Sequence, residues 1–108
     1  MSDFRYENYL RMYRKRAGFS QADVAFLLGI EGGAEVSRHE QSHRLPSLDT
    51  ALAYEAIFGQ PVGELFAGKL ERLQVLISRR ARQRLNEKSI RGARLDAFTR
   101  IANFSLDL

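Results

Sequence analysis

Apolar positions recur at three- and four-residue steps along most of the chain, and the steps break at glycines and prolines. This pattern predicts an all-α protein. Tyr6, Leu10, Tyr13 and Ala17 share one face of a first helix over residues 6–17, which Gly18 ends. The stretch from Ser20 to Pro46, SQADVAFLLGIEGGAEVSRHEQSHRLP, reads as two short helices around a glycine turn. Ser20 is an N-cap residue and Asp23 follows three positions later, the spacing of a capping box. Phe19 and Val24 flank that cap at the spacing of a hydrophobic staple. Val24, Ala25, Leu27 and Leu28 form the apolar face, and Gly29 closes the helix in the left-handed conformation. Gly32 and Gly33 follow in the turn. The next helix starts near Ala34, with Val36 facing inward and His39 a candidate for the same side. Ser37, Arg38 and Gln41 face out.

Pro46 stops that helix and Ser47 caps a fourth over residues 48–58, with Leu48, Ala51, Leu52 and Phe58 as its buried stripe. Glu55 falls on the same stripe. With no partner acid, base or nucleophile in view, it reads as a carboxylate at the core margin, satisfied by an arginine or a backbone donor. Gly59 caps this helix. Residues 61–66 form a short fifth helix in which Val62, Leu65 and Phe66 close the bundle, with Pro61 at its start. Beyond Ala67-Gly68, Leu70, Leu73, Ile77, Ala81 and Leu85 repeat over about four turns, and Leu76 widens the stripe. Arg79, Arg80, Arg82, Arg84 and Lys88 are assigned to the opposite face. The stripe has two readings. It packs back on the bundle, or Leu70, Leu73, Leu76 and Ile77 make a self-complementary seam between two copies. The segment 89–94 contains Gly92 and breaks the helix. A last helix over residues 93–103 buries Leu95, Phe98 and either Ile101 or Ala102, while Phe104, Leu106 and Leu108 dock or fray.

Ser20-Gln21, Val24-Ala25, Leu28-Gly29-Ile30, Val36-Ser37-Arg38, Glu40 and Pro46-Ser47, in this order, resemble the lambda-repressor-like (XRE) family of bacterial and phage transcription regulators. The resemblance runs from Leu10 to Phe66. It departs from the family at two places: the turn from Gly29 to Val36 is one residue longer than usual, and Ser42 stands where a capping glycine is usual. The resemblance implies a five-helix DNA-binding bundle over residues 1–66; the basic helical extension over residues 67–108 is read from its own periodicity and charge. The resemblance also implies double-stranded DNA as the partner and no cofactor. In such a motif the second helix lies in the major groove, its first residues at base edges. By position these are Ala34, Glu35 and Arg38. Alanine suits a thymine methyl, glutamate accepts from cytosine and arginine bonds bidentately to guanine. Gln21 heads the other motif helix, where a phosphate can be held. Ser37, His43 and Arg44 are placed for phosphate contact, and Ser20 and Gly33, at the two helix starts, complete the expected DNA-binding set. Arg14 lies seven residues before Gln21, where the family often has an arginine paired with the glutamate of the recognition helix, here Glu40. Plainer readings stand beside these: Glu35 as a favourable acid at a helix N-terminus, and Arg38 as a solvated surface arginine.

Charge qualifies this picture. The net charge is +4, yet residues 1–66 carry seven basic against nine acidic groups and residues 67–108 carry ten against four. The basic character therefore lies mostly outside the expected DNA-reading unit. At 108 residues and 44% hydrophobic content the chain can build one core, and without cysteine it forms no disulfide or thiolate metal site. Its polar start reads as no signal peptide, and no apolar run approaches the ~20 residues of a membrane span, which places the protein in the cytoplasm. His39 and His43 share a four-residue spacing, but HEQSH lacks a third metal ligand. The Gly32-Gly33 pair has no Gly-Lys-Ser/Thr after it and is not a phosphate loop. The reading is a non-enzymatic, sequence-specific DNA-binding regulator. Its alternatives are a protein-interaction module of antitoxin or scaffold type gripping a partner through residues 67–108, and a basic helix on an anionic membrane or RNA surface.

Overall fold

Seven helices and no strand are present among the residues that the computed structural model describes, 8–87 and 89–104. They are α1 (Leu10–Arg16), α2 (Gln21–Leu28), α3 (Ala34–Glu40), α4 (Leu48–Phe58), α5 (Val62–Leu65), α6 (Ala67–Leu85) and α7 (Gly92–Asn103). By internal contacts the chain divides into two units, one up to Lys69 and one from Leu70 onward.

Local chemistry sets the helix ends of the first unit. Ser20 accepts from the Asp23 N–H and Asp23 accepts from the Ser20 N–H, a complete capping box. Ser47 caps α4 through the Thr50 N–H. Gly29 and Gly59 end α2 and α4 at φ of 79° and 68°, a conformation a side chain would strain. Pro61 precedes α5 as its N-cap.

The core of this unit is Leu10, Val24, Ala25, Val36, Tyr54 and Leu65, with Tyr13, Phe19, Leu28, Ile57, Phe58 and Phe66 packed around it. Each large aliphatic side chain so buried contributes about 1.5–3 kcal/mol relative to exposure. The backbone N–H of Tyr9 donates to the Leu65 carbonyl at 2.8 Å, joining the approach to α1 to the end of α5. Glu55 accepts from the Val62 N–H at 2.9 Å, the backbone donor expected of a carboxylate at the core margin.

Several expected stripes are rotated. α1 begins at Leu10 rather than residue 6, Tyr6 lies outside the described residues, and Ala17 is an exposed cap. Leu27 is exposed, because the α2 face centres on Val24, Ala25 and Leu28. The α4 stripe centres on Tyr54, at three- and four-residue steps from Ala51 and Phe58. That phase turns Leu48 (72% exposed) and Leu52 (50%) outward.

In the second unit Ser78, Ala81, Ile90 and Ala102 are buried, and Phe98 and Ile101 are half-buried. Leu95 is exposed, contrary to expectation. Leu70, Leu73, Leu76 and Ile77 are all exposed. Arg80 and Arg84 are not opposite the apolar stripe: they line one groove with Ile77, Ala81, Phe98 and Ile101. Lys88, Leu106 and Leu108 lie outside the described residues.

Candidate nucleic-acid interface

The turn between α2 and α3 is set by close packing. A Cβ on Gly33 would stand 2.7 Å from the Cβ of Gln21, so only glycine lets the start of α3 rest against the start of α2. From there α3 turns Val36, His39 and Glu40 inward and leaves Ala34 and Arg38 exposed, with Glu35 and Ser37 between.

Arg14, though charged, is buried, and its Nε and Nη2 donate to the two carboxylate oxygens of Glu40 at 2.5 and 3.2 Å. Its Nη1 donates to the Phe19 carbonyl, and the Gln21 amide donates to Glu40 Oε1 at 3.2 Å. One carboxylate thus ties α1, α2 and α3 together. The Gln21 side chain is turned toward this pair.

His39 is held from both sides of its ring. Nδ1 lies 2.8 Å from the Tyr54 hydroxyl, and Nε2 lies 3.4 Å from Glu35 Oε2. A carboxylate only accepts, so Nε2 carries a proton, and in the neutral imidazole Nδ1 then accepts from Tyr54. Burial lowers the His39 pKa, Glu35 opposes this and Arg44 adds to it. Burial, with the charges of Glu40 and Glu35, pushes the Tyr54 phenol far up, so its hydroxyl keeps its proton to donate. Asn8, which no pattern in the sequence singles out, donates to the His39 carbonyl at 2.9 Å and to Ser42 Oγ at 3.2 Å. Ser42 takes a φ of 59° where the chain leaves α3, the left-handed conformation that glycine would otherwise supply.

The exposed side of α3 carries an ion cluster. Glu35 accepts from Arg38 Nη1 at 3.1 Å, and Arg44 Nη1 lies 3.1 Å from both Glu35 oxygens. Burial alone would raise the Glu35 pKa; the hydrogen bond and charge of Arg44 and the hydrogen bond of Arg38 hold it below the usual carboxylate value. Ser37 Oγ accepts from the Gln41 amide. His43 is exposed, and Ser20 Oγ is occupied by the α2 cap. Of the candidate residues, the fold therefore gathers Glu35, Arg38 and Arg44 into one cluster and Arg14, Gln21 and Glu40 into another.

Residues 10–65, just over half of the chain, match the helix-turn-helix family. The chain belongs to that family. Comparison with curated proteins finds no match, and neither does comparison with solved structures. The span matched in this helix-turn-helix protein contains both clusters and all six core residues. Family membership and the all-helical fold support a DNA-binding regulatory role. Among the described residues no group of three or more His, Cys, Asp or Glu is arranged to hold a metal ion, and no helix is long and apolar enough to cross a membrane.

Proposed function

We propose that this helix-turn-helix protein is a cytoplasmic, lambda-repressor-like transcription regulator that reads double-stranded DNA by sequence, with α3 in the major groove. The observation that supports this best is the division of α3: Val36, His39 and Glu40 are buried against the rest of the unit, while Ala34 and Arg38 are exposed. Ala34 and Arg38 would face base edges, with Glu35 beside them. Arg44, Ser37 and His43 would meet phosphates on the flanks, and the backbone N–H of Gln21 at the start of α2 would meet another. Recognition makes and breaks no covalent bond. Residues 1–66 would read the DNA, and residues 67–108 would supply dimerisation for a two-fold symmetric site.

The exposed apolar residues Leu70, Leu73, Leu76 and Ile77 also favour a second reading, in which that segment grips another protein. Selection of bound sequences from random duplex DNA tests the first reading. A recovered motif with two symmetric halves supports it. Recovery of no preferred sequence removes it and leaves the protein-interaction reading.

A further inference from the structure

We infer that Glu35 is a discriminating residue: it holds Arg38 and Arg44 back from the backbone of unmatched DNA and releases them at a matched site. The inference rests on the DNA-reading function proposed above. Its basis is the surface cluster. Arg44 places one nitrogen 3.1 Å from both Glu35 oxygens, and Arg38 places one 3.1 Å from Oε1. Both arginine side chains are more than half exposed, so solvent and DNA can reach them, whereas Glu35 is 28% exposed. The pull of a helix N-terminus accounts for an acid in the first turn of α3. It does not account for Arg44, nine residues on and outside the helix, lying back over that acid.

The cluster presents one net positive charge where two free arginines would present two. Non-specific affinity grows with the number of phosphates neutralised, so the carboxylate lowers non-specific binding. A carboxylate near the DNA backbone is itself repelled. On an unmatched sequence nothing repays the loss of the arginine contacts, and the cluster stays closed. On a matched sequence a cytosine amino group can donate to Glu35 while guanine takes Arg38. The arginines are then freed where the bases replace them. Exposed ion pairs are weak, so such a latch opens readily. Discrimination is gained by penalising the wrong partner as well as by favouring the right one.

The test compares wild type, Glu35→Gln, Arg44→Gln and the double variant on a random duplex and on the selected duplex, across a salt series. Glutamine keeps the size of Glu35 and removes its charge. On the random duplex Glu35→Gln should bind more tightly than wild type, with a salt slope steeper by about 0.9 for each additional phosphate neutralised. Its advantage then grows roughly three- to fourfold for each such phosphate between about 200 and 50 mM salt. Arg44→Gln should cost more in the Glu35→Gln background than in wild type, and the ratio of selected to random affinity should fall when Glu35 is neutralised. If wild type prefers the selected duplex while Glu35→Gln keeps the wild-type affinity and slope on the random one, the inference is wrong and the DNA-reading function stands. Equal Arg44→Gln losses in both backgrounds have the same meaning. If no variant binds DNA at any salt, both fall.

Discussion

The Tyr54 and His39 rings meet edge to face, 5.7 Å between centroids, with the hydroxyl 2.8 Å from Nδ1. This contact joins α4 to the buried side of α3, where burial favours the neutral imidazole. Burial lowers the His39 pKa below its ordinary value near 6.5. The folded form thus binds a proton less readily than the unfolded one. The stabilisation is complete above the unfolded pKa and is lost as pH falls through the folded pKa. The facing groups are Glu35, Arg44 and Tyr54. The His39 ring should titrate below about pH 6.5 by NMR, and the urea midpoint should drop as pH is lowered from about 7.5 to about 5.5. An imidazole that titrates above about 6.5 contradicts this account.

Arg14 and Glu40 should show strong energetic coupling. Their side chains are 10% and 4% exposed, and removing either leaves the other charged and buried. Arg14→Met and Glu40→Gln should each cost about 3–5 kcal/mol, and the double variant well under the sum. Denaturant unfolding of all four proteins checks this; additive losses mean that the pair carries no coupling.

Gly33→Ala should destabilise the first unit by about 1–3 kcal/mol, because its new methyl would press on Gln21. DNA binding should weaken with it, since α3 must shift. A variant as stable as wild type would show that α2 can move aside at little cost.

Arg38→Ala should cost about 1–3 kcal/mol on the selected duplex and relax the preference at one position in each half-site. Titration against single-base variants of that duplex measures both. An unchanged profile would remove Arg38 from base reading.

Leu73→Glu addresses the second unit. If Leu70, Leu73, Leu76 and Ile77 form a seam between two copies, the variant should sediment as a monomer with helical content unchanged. Wild type that is already monomeric at high concentration rules the seam out.

The helix ends are legible in the sequence because their signals are local. Ser20 with Asp23, Gly29, Ser47, Gly59 and Pro61 each act on a neighbouring turn, and each occupies the expected terminus. The phase of a short helix is harder to read. Spacing alone runs the α4 stripe along Leu48 and Leu52, whereas the core is filled by Tyr54, whose hydroxyl is satisfied by His39. A tyrosine on an otherwise apolar face, with an inward histidine elsewhere, is the available signal. The contact of Arg44 with Glu35 is out of reach of the sequence, since it follows from the path of the chain after α3 and not from helical spacing. A carboxylate at position 35 can be placed at a helix start, with Arg38 three residues on beside it, but Arg44 cannot be placed there.

The hydrogen bond from Tyr9 to Leu65 brings the two edges of the family-matched span to one point. There the span closes on itself through a backbone hydrogen bond. Such a loop tolerates having its natural edges joined and new ends opened elsewhere, and the exposed turn at Glu31 and Gly32 is the place where a cut would spare both clusters. The unit is in this sense a cassette, its two boundaries brought together at one hydrogen bond and both clusters contained between them.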